Sequence, residues 1–163
     1  MTTGHGEQAS ERELVLSRVV DAPRARLWEA WTTPEQLKQW FVPKPWEIAR
    51  VELDLRPGGV FHTVMRSPDG TEYDNPGIYL EIVPYERLVF TDAYVSAWQP
   101  SEKPFMTAIL TMEDAGPGKT RYTAVARHWT VDDRVAHEKM GFYDGWGTVL
   151  DQLVAYVNGG KVS

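Results

Sequence analysis

The sequence predicts an α+β fold, a curved antiparallel sheet of about seven strands wrapped around one long C-terminal helix, with two short helices after the first strand. Three observations predict it. Between Ile48 and His128 apolar residues recur largely with period two, interrupted by turn signals, as in half-buried strands. From Thr130 onward the period changes. Val135, Phe142, Trp146, Val149, Leu150, Leu153, Val154 and Val157 share one arc of a helical wheel, so this stretch is an amphipathic helix. Between the first strand and Ile48, two short segments each carry Pro at a helix start.

Taken in order, residues 1–12 read as a flexible tail, 13–158 as one domain and 159–163 as a second tail. Glu13 to Val20 is partly alternating and rich in β-branched residues, hence a strand. Pro23 opens a short helix with Asp21 nearby as a cap, and Leu27, Trp28 and Trp31 form its apolar face. Thr33-Pro34-Glu35-Gln36 has the pattern of a full capping box for the second helix, which ends near Trp40 and Phe41 before Pro43 and Pro45. Six strands follow, over Ile48–Leu55, Val60–Arg66, Ile78–Val83, Arg87–Thr91, Phe105–Met112 and Arg121–His128. Arg56-Pro57-Gly58-Gly59 and Ser67-Pro68-Asp69-Gly70 are turns, and Ala93 to Lys103 is a longer connection. Thr130 with Asp133 resembles a capping box for the terminal helix, which Gly159 and Gly160 end. Gly141, Gly145 and Gly147 each cost that helix up to about 1 kcal/mol, and a kink or break at Gly141 is the cheapest account of them.

Alternation turns Tyr122, Ala124, Ala126 and His128 inward, together with Met106, Ala108, Leu110 and Met112. The same rule turns in Ile78, Leu80 and Ile82, Phe61, Thr63 and Met65, and Leu88 and Phe90. Small residues under a long helix leave room for a ligand, yet Trp146, Phe142 and Tyr143 are large enough to fill it. Periodicity alone does not choose between a packed and a hollow interior.

Composition excludes several classes. The net charge of −6 and the lack of a Lys/Arg stripe argue against nucleic-acid binding. With Cys 0, disulfides, thiolate catalysis and Cys-ligated metals are excluded. The polar N-terminal stretch has no apolar signal-peptide core, and no apolar run reaches the roughly 20 residues of a membrane span, so a cytoplasmic location is expected. Gly118-Lys119-Thr120 ends like a P-loop, but Glu113 stands where the first Gly is required. His137-Glu138 starts like a zinc-protease helix, but Gly141 replaces the second His. No metal and no cofactor are expected.

DAPRARLWEAWTTPEQLKQWF, LRPGGVFHTVMRSPDG, GIYLEIVPYERLVFTD and EKMGFYDGWGTVLDQLVAYV resemble motifs of the SRPBCC superfamily of START-like, helix-grip proteins. The branch is the one related to the C-terminal domain of the activator of heat-shock-protein ATPase. The resemblance covers residues 13–157 and implies a hydrophobic cavity between sheet and long helix. The residues that would line it are Trp40 from the second helix, and Phe61, Met65, Leu80 and Phe90 from the first half of the sheet. Tyr94 and Trp98 would come from the long connection, and Met106, Leu110, Tyr122 and His128 from the last two strands. Tyr143 and Trp146 would come from the terminal helix.

The function this implies is binding of a small apolar or amphipathic molecule. A cyclase- or hydrolase-type enzyme is the alternative, with His128 and either Tyr94 or Asp92 doing acid–base work. The bland reading of His128 is a core histidine satisfied by a carbonyl or a neighbour. An activator-like chaperone partner transfers less readily, because the full activator carries a further N-terminal domain. A homodimer is compatible with the sequence but not demanded by it.

Overall fold

The computed structural model describes residues 11–159. The chain runs β1 (Glu13–Val20), α1 (Arg24–Thr32), α2 (Pro34–Leu37), β2 (Glu47–Leu53), β3 (Phe61–Arg66), β4 (Glu72–Asn75) and β5 (Ile78–Val83). It continues with β6 (Arg87–Thr91), β7 (Tyr94–Ser96), β8 (Gln99–Pro100), β9 (Met106–Asp114), β10 (Thr120–His128), α3 (Val131–Lys139) and α4 (Phe142–Val157). Of the expected tails, residues 1–10 and 160–163 lie outside the described residues. Glu11 and Arg12, read as tail, are held in place. The Arg12 carbonyl accepts from the His128 backbone N–H at 2.8 Å, and the Glu11 carbonyl accepts from Arg134 Nε at 2.8 Å.

The main sheet has the order β1-β10-β9-β6-β5, with every pairing antiparallel. A second sheet, β2-β3-β4, joins it through the Val60–Ile78 bridge and the Phe61 N–H bond to the Gly77 carbonyl at 2.9 Å. A Cβ at Gly77 would lie 2.6 Å from the Thr91 carbonyl oxygen, so only glycine allows this corner to close. Three short strands add to those read from the pattern. β4 is exposed along its whole length and carries no apolar alternation to betray it. β7 and β8 form a small hairpin within the long connection, with Trp98 at φ +65° near its turn.

Helix starts depart from the sequence reading in two places. Asp21 does not cap α1; the N-cap is Pro23, and the Asp21 carboxylate takes Lys119 Nζ at 2.8 Å instead. The capping box at Thr33 does not form. Thr33 is both the C-cap of α1 and the N-cap of α2, and its N–H already donates to the Glu29 carbonyl. The reciprocal bond that a capping box needs is therefore unavailable. At Thr130 the hydroxyl does accept from Asp133 N–H, at 3.0 Å.

The terminal pattern forms two helices. Gly141 adopts φ +100°, a left-handed conformation that L side chains resist, and α4 starts a new axis there. Leu150, Leu153 and Val157 of α4 enter one core with Leu27, Trp28 and Trp31 of α1 and with Leu88, Leu110 and Met112 of the sheet. Gln152 secures the other side of α4. Its amide donates to the Trp40 carbonyl at 2.9 Å and the Val42 carbonyl at 2.7 Å, and its oxygen accepts from Lys44 N–H at 3.0 Å. One buried amide thus ties α4 to the loop after α2.

Candidate functional site

Between α4 and the concave face of the sheet lies a hollow of about 250 Å³. The main sheet supplies Leu16, Phe90, Met106, Leu110, Tyr122 and Ala124, and β3 of the second sheet supplies Met65. Inward alternation puts them there, and Ala124 leaves space where a larger residue would fill it. Trp31 of α1 and the Phe41-Val42-Pro43 loop form the rim on one side, and Gly145, Trp146 and Val149 of α4 close the other. A Cβ built at Gly145 meets no atom within 4 Å, so the absent side chain is part of the void.

No charged side chain lines this space. Its polar atoms are few. Trp31 Nε1 donates to the Tyr122 hydroxyl at 3.2 Å, and both residues belong to the wall. Burial raises the Tyr122 phenol well above its ordinary value, so it stays protonated.

The residues expected to line a cavity divide into groups. Met65, Phe90, Met106, Leu110, Tyr122 and Trp146 meet on its wall. Trp40 stands behind it, 1% exposed, edge-on to Trp31 with centroids 4.9 Å apart, and its Nε1 donates to the Ala30 carbonyl. Phe61 packs edge-on against Phe90 at 4.3 Å and borders an adjoining hollow of about 130 Å³. Leu80, Tyr94, Trp98, Tyr143 and His128 are not on the wall.

Each of these departures has a physical cause. A register shift between Tyr79 and Glu81 in β5 reverses the alternation, so Tyr79 is fully buried and Leu80 is 44% exposed. Trp98 is 87% exposed on the β7–β8 turn, and with Tyr94 and Leu80 it surrounds a separate hollow instead. Tyr143 is 47% exposed because the break at Gly141 restarts the helix with Phe142 facing the sheet, which turns its neighbour outward.

His128 is buried at the end of β10. Its Nδ1 lies 2.9 Å from the Arg12 carbonyl, to which it must donate, and its Nε2 lies 2.8 Å from His137 Nδ1. With both rings neutral, His128 Nε2 accepts the His137 Nδ1 hydrogen. Phe105, Phe142 and Trp146 enclose His137. Burial, and secondarily the neighbouring His128, lower His137 to about 4. Asp92 accepts the backbone N–H groups of Phe105 at 2.8 Å and Met106 at 3.1 Å, which position the start of β9. Burial raises its pKa, opposed by those hydrogen bonds and by His128. His128, Asp92 and Tyr94 therefore do not converge on the central hollow. Among the described residues no group of three or more His, Asp or Glu is placed to hold a metal ion. No described helix is long and apolar enough to cross a membrane.

Several wall residues escaped the sequence reading. Gly145, which a helical wheel leaves just outside the apolar arc, lines the hollow beside Trp146 and Val149. Gln152, which holds the loop after α2 and does not line the wall, also escaped that reading.

A sheet gripping a C-terminal helix, with a hollow between them, defines a START-like protein of the helix-grip class. The family described as "Activator of Hsp90 ATPase homolog 1-like protein" matches residues 21–158, and the chain belongs to that family. Among solved structures, a protein of Nitrosomonas europaea is 43% identical, with TM-score 0.89 over 93% of this chain and 97% of its own. A protein of Mycobacterium smegmatis is 25% identical, with TM-score 0.74 over 90% of each chain. An AHSA1-like protein from Aeromonas hydrophila is 19% identical, with TM-score 0.67 over 90% of this chain and 93% of its own, a likeness of fold alone. No curated protein matches the sequence.

Proposed function

We propose that the chain binds a small, mostly apolar molecule in the hollow between α4 and the main sheet. The observation that carries this reading is Gly145. It faces open space on an otherwise apolar wall, in a helix where alanine would be the more stable residue. Interiors normally close such gaps, so a gap maintained at a cost to the helix points to an occupant. The acid–base groups favour binding over catalysis, since His128 and Asp92 spend their polar atoms on structural partners elsewhere. An interior site also sets this reading above chaperone contact, which an exposed surface would have to serve.

The test uses N-phenyl-1-naphthylamine, an uncharged dye that brightens in apolar surroundings. The wild type is expected to enhance its fluorescence saturably. Gly145→Leu, whose side chain would enter the hollow, is expected to abolish the enhancement while keeping a cooperative melt. Equal dye binding by the two proteins removes the proposal.

A further inference from the structure

The polar side chains of the cavity wall are two indoles, Trp31 and Trp146, and one phenol, Tyr122. Trp31 Nε1 spends its hydrogen on the Tyr122 oxygen. That leaves the Tyr122 phenolic hydrogen, on a side chain only 4% exposed, with no acceptor among the described residues. Trp146 Nε1, the other indole N–H on the wall, likewise has no hydrogen-bond partner among them. Indole nitrogen donates and never accepts. The remaining wall side chains are apolar. A water could take the Tyr122 hydrogen, but a well-held buried water needs two to four polar partners, and this wall offers few. An ionised ligand would be desolvated without a counter-charge.

We infer that the ligand is an uncharged molecule with a carbonyl or ether oxygen, and that Tyr122, oriented by Trp31, selects it by donating its hydroxyl hydrogen to that oxygen. This rests on the binding role proposed above for the same cavity. Burial keeps the phenol protonated, as a donor must be. The Trp31 bond also fixes the phenol oxygen, so little orientational freedom is lost when the ligand docks.

Two probes of the same shape test the assignment: 2-acetylnaphthalene, and 2-isopropenylnaphthalene, in which CH₂ replaces the oxygen. Titration calorimetry gives the ketone-to-olefin affinity ratio for the wild type and for Tyr122→Phe. The ratio is expected to fall roughly fivefold or more in the variant, the loss of one buried hydrogen bond. An unchanged ratio overturns the inference. The wild type supplies an independent readout if the variant does not fold. The carbonyl stretch of bound 2-acetylnaphthalene should lie below its frequency in cyclohexane, and an unshifted band overturns the inference equally. Olefin binding without ketone selectivity defeats this inference alone. Binding of neither probe defeats it together with the cavity reading on which it rests.

Discussion

Two glycines of α4 turn the cavity into a stability measurement. Gly145→Ala and Gly147→Ala are the same chemical change two residues apart on one helix, and their surroundings differ. At Gly145 the new methyl enters open space. The helix gains about 1 kcal/mol from the lost glycine flexibility, and partial burial of a methyl group adds a few tenths. At Gly147 the methyl would lie 2.7 Å from an Arg18 guanidinium nitrogen. That atom ends a flexible side chain and can swing aside, which breaks the 2.9 Å pair between Arg18 and Asp151. Both partners are well exposed, so the pair contributes about 0–1 kcal/mol and cancels much of the propensity gain. Gly145→Ala should therefore raise stability by about 1 kcal/mol, an increase in Tm of roughly 2–4 °C at this size, with Gly147→Ala near neutral. Urea and thermal unfolding of both variants measure the difference. A destabilised Gly145→Ala would mean that its Cβ meets packed atoms, and the reasoning that places a void there would be wrong.

Two further outcomes follow from the same contacts. Gln152→Leu keeps the bulk but strips partners from the Trp40 and Val42 carbonyls and the Lys44 N–H, which should cost about 3 kcal/mol in urea unfolding; a loss below about 1 kcal/mol would show that the amide is not what holds that loop. His137 sits at about 4 when folded against 6.5 when exposed, so the unfolded chain binds the extra proton first. Stability from this residue is complete above about pH 6.5 and is lost as pH falls toward 4, by as much as about 3 kcal/mol. His137→Gln should flatten the curve of unfolding free energy in that window, and an unchanged slope would remove the account.

The elements most legible in the sequence were those whose pattern is enforced by burial on one face. β1, β5 and β6 occupy the residues that alternation assigned them. The break before α4 was visible because the glycines cost a helix stability and because Lys139 would fall inside the apolar arc of one continuous helix; Gly141, at φ +100°, is where the axis changes. β4 was invisible because its residues face solvent on both sides, so no burial writes a period into them. Leu80 shows the complementary failure. Ile78 and Tyr79 are both buried and Leu80 and Glu81 both exposed, because the register shift between Tyr79 and Glu81 breaks the alternation, and no residue type in the segment announces the shift.

The cavity was harder to read than the fold for a related reason. A pattern of apolar residues states which side chains face inward but not whether they touch one another. Trp146 and Phe142 are both large and inward; the first lines the hollow and the second is packed against Trp146 and His137. What separates them is where α4 starts after the left-handed turn at Gly141, which no hydrophobic count contains. Volume is left where small residues oppose each other across the gap, here Ala124 on the sheet and Gly145 on the helix. Each looks unremarkable alone, one as an ordinary strand alanine and the other as a helix defect. Only together do they leave the hollow, which is why the glycine's cost to the helix and the space it leaves are best read as one fact.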